Sequence, residues 1–171
     1  MSGLIKKIEV AANLAIIAVA ILLGVVLVRN YLMPKPQAPP QAAAAPIPPG
    51  TKLSLPGVDW KANGRTLVMA LSTGCHFCTE SAPFYQRVAQ ERAKVGNIRL
   101  VAVFPEPVSE GQKYLNNLGV AVDEVKQAQL DSIGVIGTPT LIITDVQGTV
   151  AESWRGKLPS EKESDLLSHL K

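Results

Sequence analysis

Residues 66–78, TLVMALSTGCHFC, carry the decisive pattern. Residues 66–72 form a short apolar run between Asn63-Gly64 and Gly74, which predicts a buried strand. Residues 75–95 then read as a helix, with Phe84, Val88 and Arg92 at helical spacing and Gly96-Asn97 as the stop. The two cysteines thus fall where a strand hands over to a helix. A helix N-terminus offers unpaired backbone N–H groups and the positive end of a dipole, and both favour a thiolate. Cys75, at that end and exposed, is the expected nucleophile. Cys78 lies one turn on, placed to close an intramolecular disulfide and release a mixed one. The blander alternatives, two core cysteines or half of a metal site, do not account for this position.

Downstream, Pro83 falls five residues after Cys78, where a proline kinks a helix and separates a short active-site turn from the packed remainder. Residues 98–104 (IRLVAVF) predict a second buried strand, stopped by Pro105 and Pro107, and residues 110–118 a helix ended by Gly119. A short helical turn is expected over 130–133. Gly137-Thr138-Pro139-Thr140 leads into the apolar strand 140–144, and residues 149–154 form its hairpin partner across Asp145-Val146-Gln147-Gly148. A cis bond at Thr138-Pro139 would make a sharp turn there. Ser160, with Glu163 three residues on, predicts a capping box for a last helix. Weak strands are expected over 52–55 and 58–60. The order β-α-β-α-β-β-α describes an α/β domain, a mixed sheet with helices on both sides.

Charge is unevenly placed. The first 50 residues carry Lys6, Lys7, Arg29 and Lys35 against Glu9, whereas residues 51–171 hold 13 basic and 13 acidic side chains. The pI near 8.9 therefore reflects the ends of an apolar segment, and no nucleic-acid-binding face is expected. Two cysteines are too few for a disulfide scaffold. With only His76 and His169 beside them, a closed structural zinc site is not expected either.

Behind a short tail (1–9), residues 10–28 are 19 positions without a charge, about 28 Å as a helix, close to the thickness of a bilayer core. A transmembrane anchor helix over 10–32 is the expectation. A cleaved signal peptide is the competing reading, but its apolar region is usually about 7–15 residues. Residues 33–50 contain seven prolines and read as a Pro/Ala-rich linker, reaching about 50 Å as polyproline II. The remainder, 51–171, is long enough for one hydrophobic core. Lys6 and Lys7 before the span nearly balance Arg29 and Lys35 after it, but a short tail before a first span is commonly cytoplasmic, which would leave the domain outside.

Four features together resemble the thioredoxin fold: CHFC after a strand, Pro83 at the family offset, the Thr138-Pro139 loop and the hairpin TLIITDVQGTV. With the anchor and tether, the chain most resembles the membrane-anchored TlpA/ResA-like thiol-disulfide oxidoreductases of bacteria. The resemblance implies a cis Pro139 beside the cysteines and a Thr138 backbone that pairs with substrate chains. It also implies a single-pass inner-membrane protein with an extracytoplasmic domain. Its partners would be protein thiols and disulfides and a membrane redox protein that regenerates the pair. No cofactor beyond the redox-active disulfide is called for.

Departures from that pattern are informative. Gly74 stands where a tryptophan is usual, Met69 where thioredoxin has a buried acid, and Ser81 where ResA-like proteins place a glutamate. Glu80 is the nearest candidate for proton transfer to Cys78. His76 either stabilises the Cys75 thiolate as an imidazolium or is a solvated loop histidine. Phe77 either docks substrate or covers the rim. Exchange in the reducing direction is the leading expectation, with an oxidase or isomerase as its alternative. A metal chaperone binding copper or zinc through Cys75, Cys78 and His76 is the alternative from another class.

Overall fold

Five successive buried residues, Thr66 to Ala70, make Arg65–Ala70 the central strand β1. The computed structural model describes residues 13–14, 16–24, 47–96 and 98–171. The chain divides into two compact units, Met1–Ala42 and Ala43–Lys171, each taken by itself. In the first, residues 13–14 and 16–24 are helical and exposed, Ile17 and Leu22 among them. The tail 1–9, both ends of the expected anchor and the linker as far as residue 46 lie outside the described residues. Among the described residues no helix is long and apolar enough to cross a membrane.

In the second unit β1 pairs in parallel with β2 (Ile98–Phe104), from Arg65↔Ile98 to Ala70↔Val103. On its other side it pairs antiparallel with β4 (Thr140–Thr144), Ala70 opposite Thr140. A third parallel strand, β3 (Glu124–Gln127), flanks β2, and β5 (Val150–Arg155) flanks β4, giving the order β3-β2-β1-β4-β5. The sequence reading contained no strand at β3. Its residues, Glu-Val-Lys-Gln, have little strand preference, and only pairing with β2 at the sheet edge makes them extended.

Period-two alternation splits the core. Leu67, Met69, Leu100, Phe104 and Ile143 face one side, and Val68, Ala70, Val101, Val103 and Ile142 the other. The first side is covered by three helices: α3 (Ala82–Val95) through Phe84, Tyr85 and Val88, α4 (Val108–Asn117) through Leu115, and α5 (Ser160–His169) through Leu166. Two crossovers of one hand stepping the same way along the sheet put α3 and α4 on the same face. The second side is covered mainly by Ile47, Leu53, Leu55, Ile133 and Val135, with Trp60 of the short α1 (Trp60–Asn63) against it. Helical elements thus flank both faces, unequally.

Ile47 is buried and its carbonyl accepts a hydrogen bond from Ser153 Oγ at 2.9 Å, so the domain core begins before the expected boundary at residue 51. The segment 52–55 is not a strand. Lys52 makes one isolated bridge to Thr149, while Leu53 and Leu55 simply pack inward. Residues 58–60 are not a strand either, because Asp59 Oδ1 accepts from the N–H groups of Lys61 and Ala62 and starts α1. The capping box at Ser160 does not form. Pro159 holds the cap position, and Glu163 turns instead to Arg87 on α3.

The long helix expected over 75–95 is two helices, α2 (His76–Glu80) and α3, broken at Ser81. Pro83 sits at the second position of α3, where its missing N–H would have been unpaired in any case.

Candidate active site

Cys75 caps α2. Its backbone is extended (φ −84°, ψ 110°), and its Sγ accepts a hydrogen bond from the N–H of Cys78 at 3.1 Å. Its own N–H donates to Ser72 O at 3.2 Å, which closes the turn out of β1. The two cysteines form a disulfide, with Cα atoms 5.2 Å apart. They are not equivalent. Cys78 is 0% exposed, within the cluster of Phe84 and Tyr85, whereas Cys75 is partly open to solvent. Of the two cysteines only Cys75 has surface open to a protein-sized partner.

The Thr138-Pro139 bond is cis, and Thr138 O lies 3.5 Å from Cys75 Sγ. The antiparallel register of β4 on β1 brings the start of β4 to the end of β1 and hence to the cysteines. Thr140 Oγ1 donates to Gly137 O at 2.6 Å and Gly156 N to Pro139 O at 2.7 Å, so the loop is tied on both sides.

His76 points outward and its Nε2 lies 3.0 Å from Glu80 Oε1, one turn along α2. The other Glu80 oxygen receives Lys157 Nζ at 3.0 Å. The Lys157 hydrogen bond, aided by the charges of Lys157 and His76, outweighs slight desolvation and holds the Glu80 carboxyl below its ordinary value. Both oxygens are thus engaged at the surface, with partners other than Cys78. Ser81 is buried and donates to Phe77 O at 2.8 Å. Phe77 is 54% exposed. So is Ile136 at 67%, two residues before Thr138, a surface side chain the sequence reading did not single out.

Solved structures share this arrangement of chain. A thiol:disulfide interchange protein from Bacteroides sp. aligns over 75% of this chain and 90% of its own, at 17% identity and a TM-score of 0.52. A thiol-disulfide isomerase from Corynebacterium glutamicum aligns over 73% and 91%, at 13% identity and 0.52. StoA from Bacillus subtilis aligns over 64% and 84%, at 14% identity and 0.52. The domain has the thioredoxin fold. No protein-family model and no curated protein matches the chain.

One further group of the thioredoxin-fold domain escaped the sequence reading. Glu106, between the prolines that end β2, accepts three hydrogen bonds on Oε1: from Ser72 Oγ at 2.7 Å, Thr73 N at 3.1 Å and Thr73 Oγ1 at 3.1 Å. Burial alone would raise its carboxyl. The Ser72 hydroxyl, the N–H groups of Glu106 itself and Thr73, and the Thr73 hydroxyl outweigh it, so the carboxyl is held below its ordinary value. The only signal in the sequence was an acid directly after a buried strand. Its meaning depends on the parallel pairing of β1 with β2, which brings both strand ends together. Among the described residues no three His, Cys, Asp or Glu side chains gather as a metal site.

Proposed function

We propose that this chain is a membrane-tethered thiol-disulfide oxidoreductase that exchanges disulfides with protein substrates through Cys75 and Cys78, working as a reductant. The observation that carries the reading is the asymmetry of the pair: a partly exposed Cys75 sulfur beside Thr138 O and a wholly buried Cys78. In the reduced protein the Cys75 thiolate attacks a substrate disulfide, forming a mixed disulfide and expelling one substrate thiolate. Cys78 then attacks the Cys75 sulfur, closing the Cys75–Cys78 bond and releasing the second substrate thiol. Two electrons and two protons pass to the substrate, and the cysteines themselves carry the electrons.

Phe77 and Ile136, exposed beside the two halves of the site, offer apolar contacts to a substrate segment lying along Thr138 and Pro139. The uncharged stretch 10–28, whose described helical residues expose apolar side chains, supports anchoring in a bacterial inner membrane. The domain lies on the extracytoplasmic side, where a membrane redox protein returns the pair to its dithiol form.

The test is the reduction potential of the full chain, read by equilibration with glutathione and with thioredoxin. A value near or below about −270 mV supports a reductant, and one near −120 to −180 mV makes the protein an oxidase or isomerase. If no Cys75–Cys78 disulfide equilibrates at any poise, exchange is the wrong reading and Cu(I) binding is next to be measured.

A further inference from the structure

Ser72 and Thr73 form the turn from β1 into α2, and the N–H of Cys75 is bonded back to Ser72 O. One carboxylate oxygen, Glu106 Oε1, holds both residues of that turn through three donors. These donors are two hydroxyls and a backbone N–H, all neutral, so they stabilise the carboxylate without cancelling its charge. The second oxygen, Oε2, is shielded from solvent. A negative charge is therefore held against Thr73, two residues before Cys75 and ahead of the start of α2. The nearby acid Glu80 differs, since it is exposed and shared between His76 and Lys157.

We propose that Glu106 is a positioning residue of the redox pair: its carboxylate sets the turn that presents Cys75, and its charge biases the pair toward the disulfide. The inference rests on the exchange reading above. Reduction by glutathione converts one Cys75–Cys78 disulfide and two glutathione thiols into the dithiol and one glutathione disulfide. Two electrons and two protons enter the pair. Part of the dithiol's stability at neutral pH is the ionised Cys75 sulfur. A fixed negative charge in a partly desolvated position opposes that ion and leaves the uncharged disulfide untouched. The protein is thereby made a stronger reductant.

The experiment equilibrates the full chain with glutathione buffers and compares wild type with Glu106→Gln, Glu106→Asp and Glu106→Ala. Glu106→Gln keeps a carbonyl oxygen for Ser72 and Thr73 but removes the charge. Its equilibrium is expected to move three- to tenfold toward the dithiol, where tenfold is about 30 mV. Glu106→Asp keeps the charge and is expected to stay near wild type. Glu106→Ala is expected to shift as Gln does and also to slow exchange at least threefold, because the turn loses its tether. If Glu106→Ala does not fold, Glu106→Gln alone decides the charge. A Glu106→Gln equilibrium equal to wild type, or moved toward the disulfide, overturns the inference while wild-type exchange stands. A wild type that never equilibrates with glutathione overturns the exchange reading itself.

Discussion

Cys75 Sγ and the carbonyl oxygen of Thr138 lie 3.5 Å apart although 63 residues separate them in the chain. No local preference brings them together. The contact exists because β4 runs antiparallel to β1 with Thr140 opposite Ala70, so a loop entering β4 meets a turn leaving β1. On the proposed exchange reading, a substrate segment reaching the outer sulfur lies along Thr138.

The asymmetry of the pair makes the two cysteine variants fail differently. Cys75→Ser should abolish exchange with glutathione and with protein disulfides. Cys78→Ser should keep the attacking sulfur but lose the resolving one, so it should accumulate mixed disulfides visible on non-reducing gels and by mass spectrometry. Normal turnover by Cys78→Ser, with nothing trapped, would reverse the assigned roles.

Phe77 and Ile136 are exposed apolar side chains on the two chain segments that meet at the disulfide. Burying a side chain of this size contributes about 1.5–3 kcal/mol. The double variant Phe77→Ser/Ile136→Ser should lose about tenfold or more in kcat/KM for a protein substrate, which 1.4 kcal/mol already gives. Its exchange with glutathione, too small to use both contacts, should change little. Equal losses for both substrates would point to damage at the cysteines instead.

Glu80 has both oxygens occupied by His76 and Lys157 at the surface. Glu80→Gln should therefore leave the rate at which Cys78 resolves a mixed disulfide near wild type, measured by stopped flow against a model disulfide. A tenfold slower resolving step would restore Glu80 as the proton-transfer acid.

Gly111 on α4 faces Phe104, and a Cβ built there would meet ring atoms at 2.7 and 3.0 Å. Helix preference alone would favour alanine by about 1 kcal/mol. Overpacking against a fully buried phenylalanine costs about 1–3 kcal/mol. Gly111→Ala should lower the melting temperature by about 3–6 °C by calorimetry. An unchanged or higher value would mean that the helix moves off the sheet at little cost.

The depressed Glu106 carboxyl has a consequence for acid stability. A carboxyl whose folded value lies below its unfolded one adds stability that is present above the unfolded value and lost as pH falls through the folded one. The unfolded reference is the ordinary glutamate value of about 4.3. Glu106→Gln should be less stable than wild type at pH 7, and the gap should close as the pH is lowered below about 4. Urea unfolding at pH 7 and pH 3 reads the difference directly, and a gap as wide at pH 3 as at pH 7 would assign the loss to packing.

The stretch 66–78 determined much of this protein unaided: a buried strand, the abrupt change to helical spacing, and two cysteines at the junction. These are local signals, set by side-chain period and by the needs of a helix end. Pro83 likewise marked the division between α2 and α3, because a proline's effect on its own helix is local. Where the signal was weak, the reading failed in identifiable ways. Glu124–Gln127 became a strand only through pairing with β2, and Glu163 left the expected capping box for Arg87, a partner on another helix.

The sequence already placed Cys75 outermost, and the resemblance put Thr138 and Pro139 beside it; the tertiary structure decided how these groups meet. Which sulfur is buried, which carbonyl lies beside Cys75, and which acid holds its turn depend on strand order and register. Thr138, Ile136 and Glu106 reach the site from the starts and ends of strands paired with β1, at sequence separations no periodicity records. The two cysteines at a strand-to-helix junction specified a redox pair. The sheet chose the groups that set its reactivity, because hydrogen bonds and charges act over ångströms of space, whatever the distance along the chain.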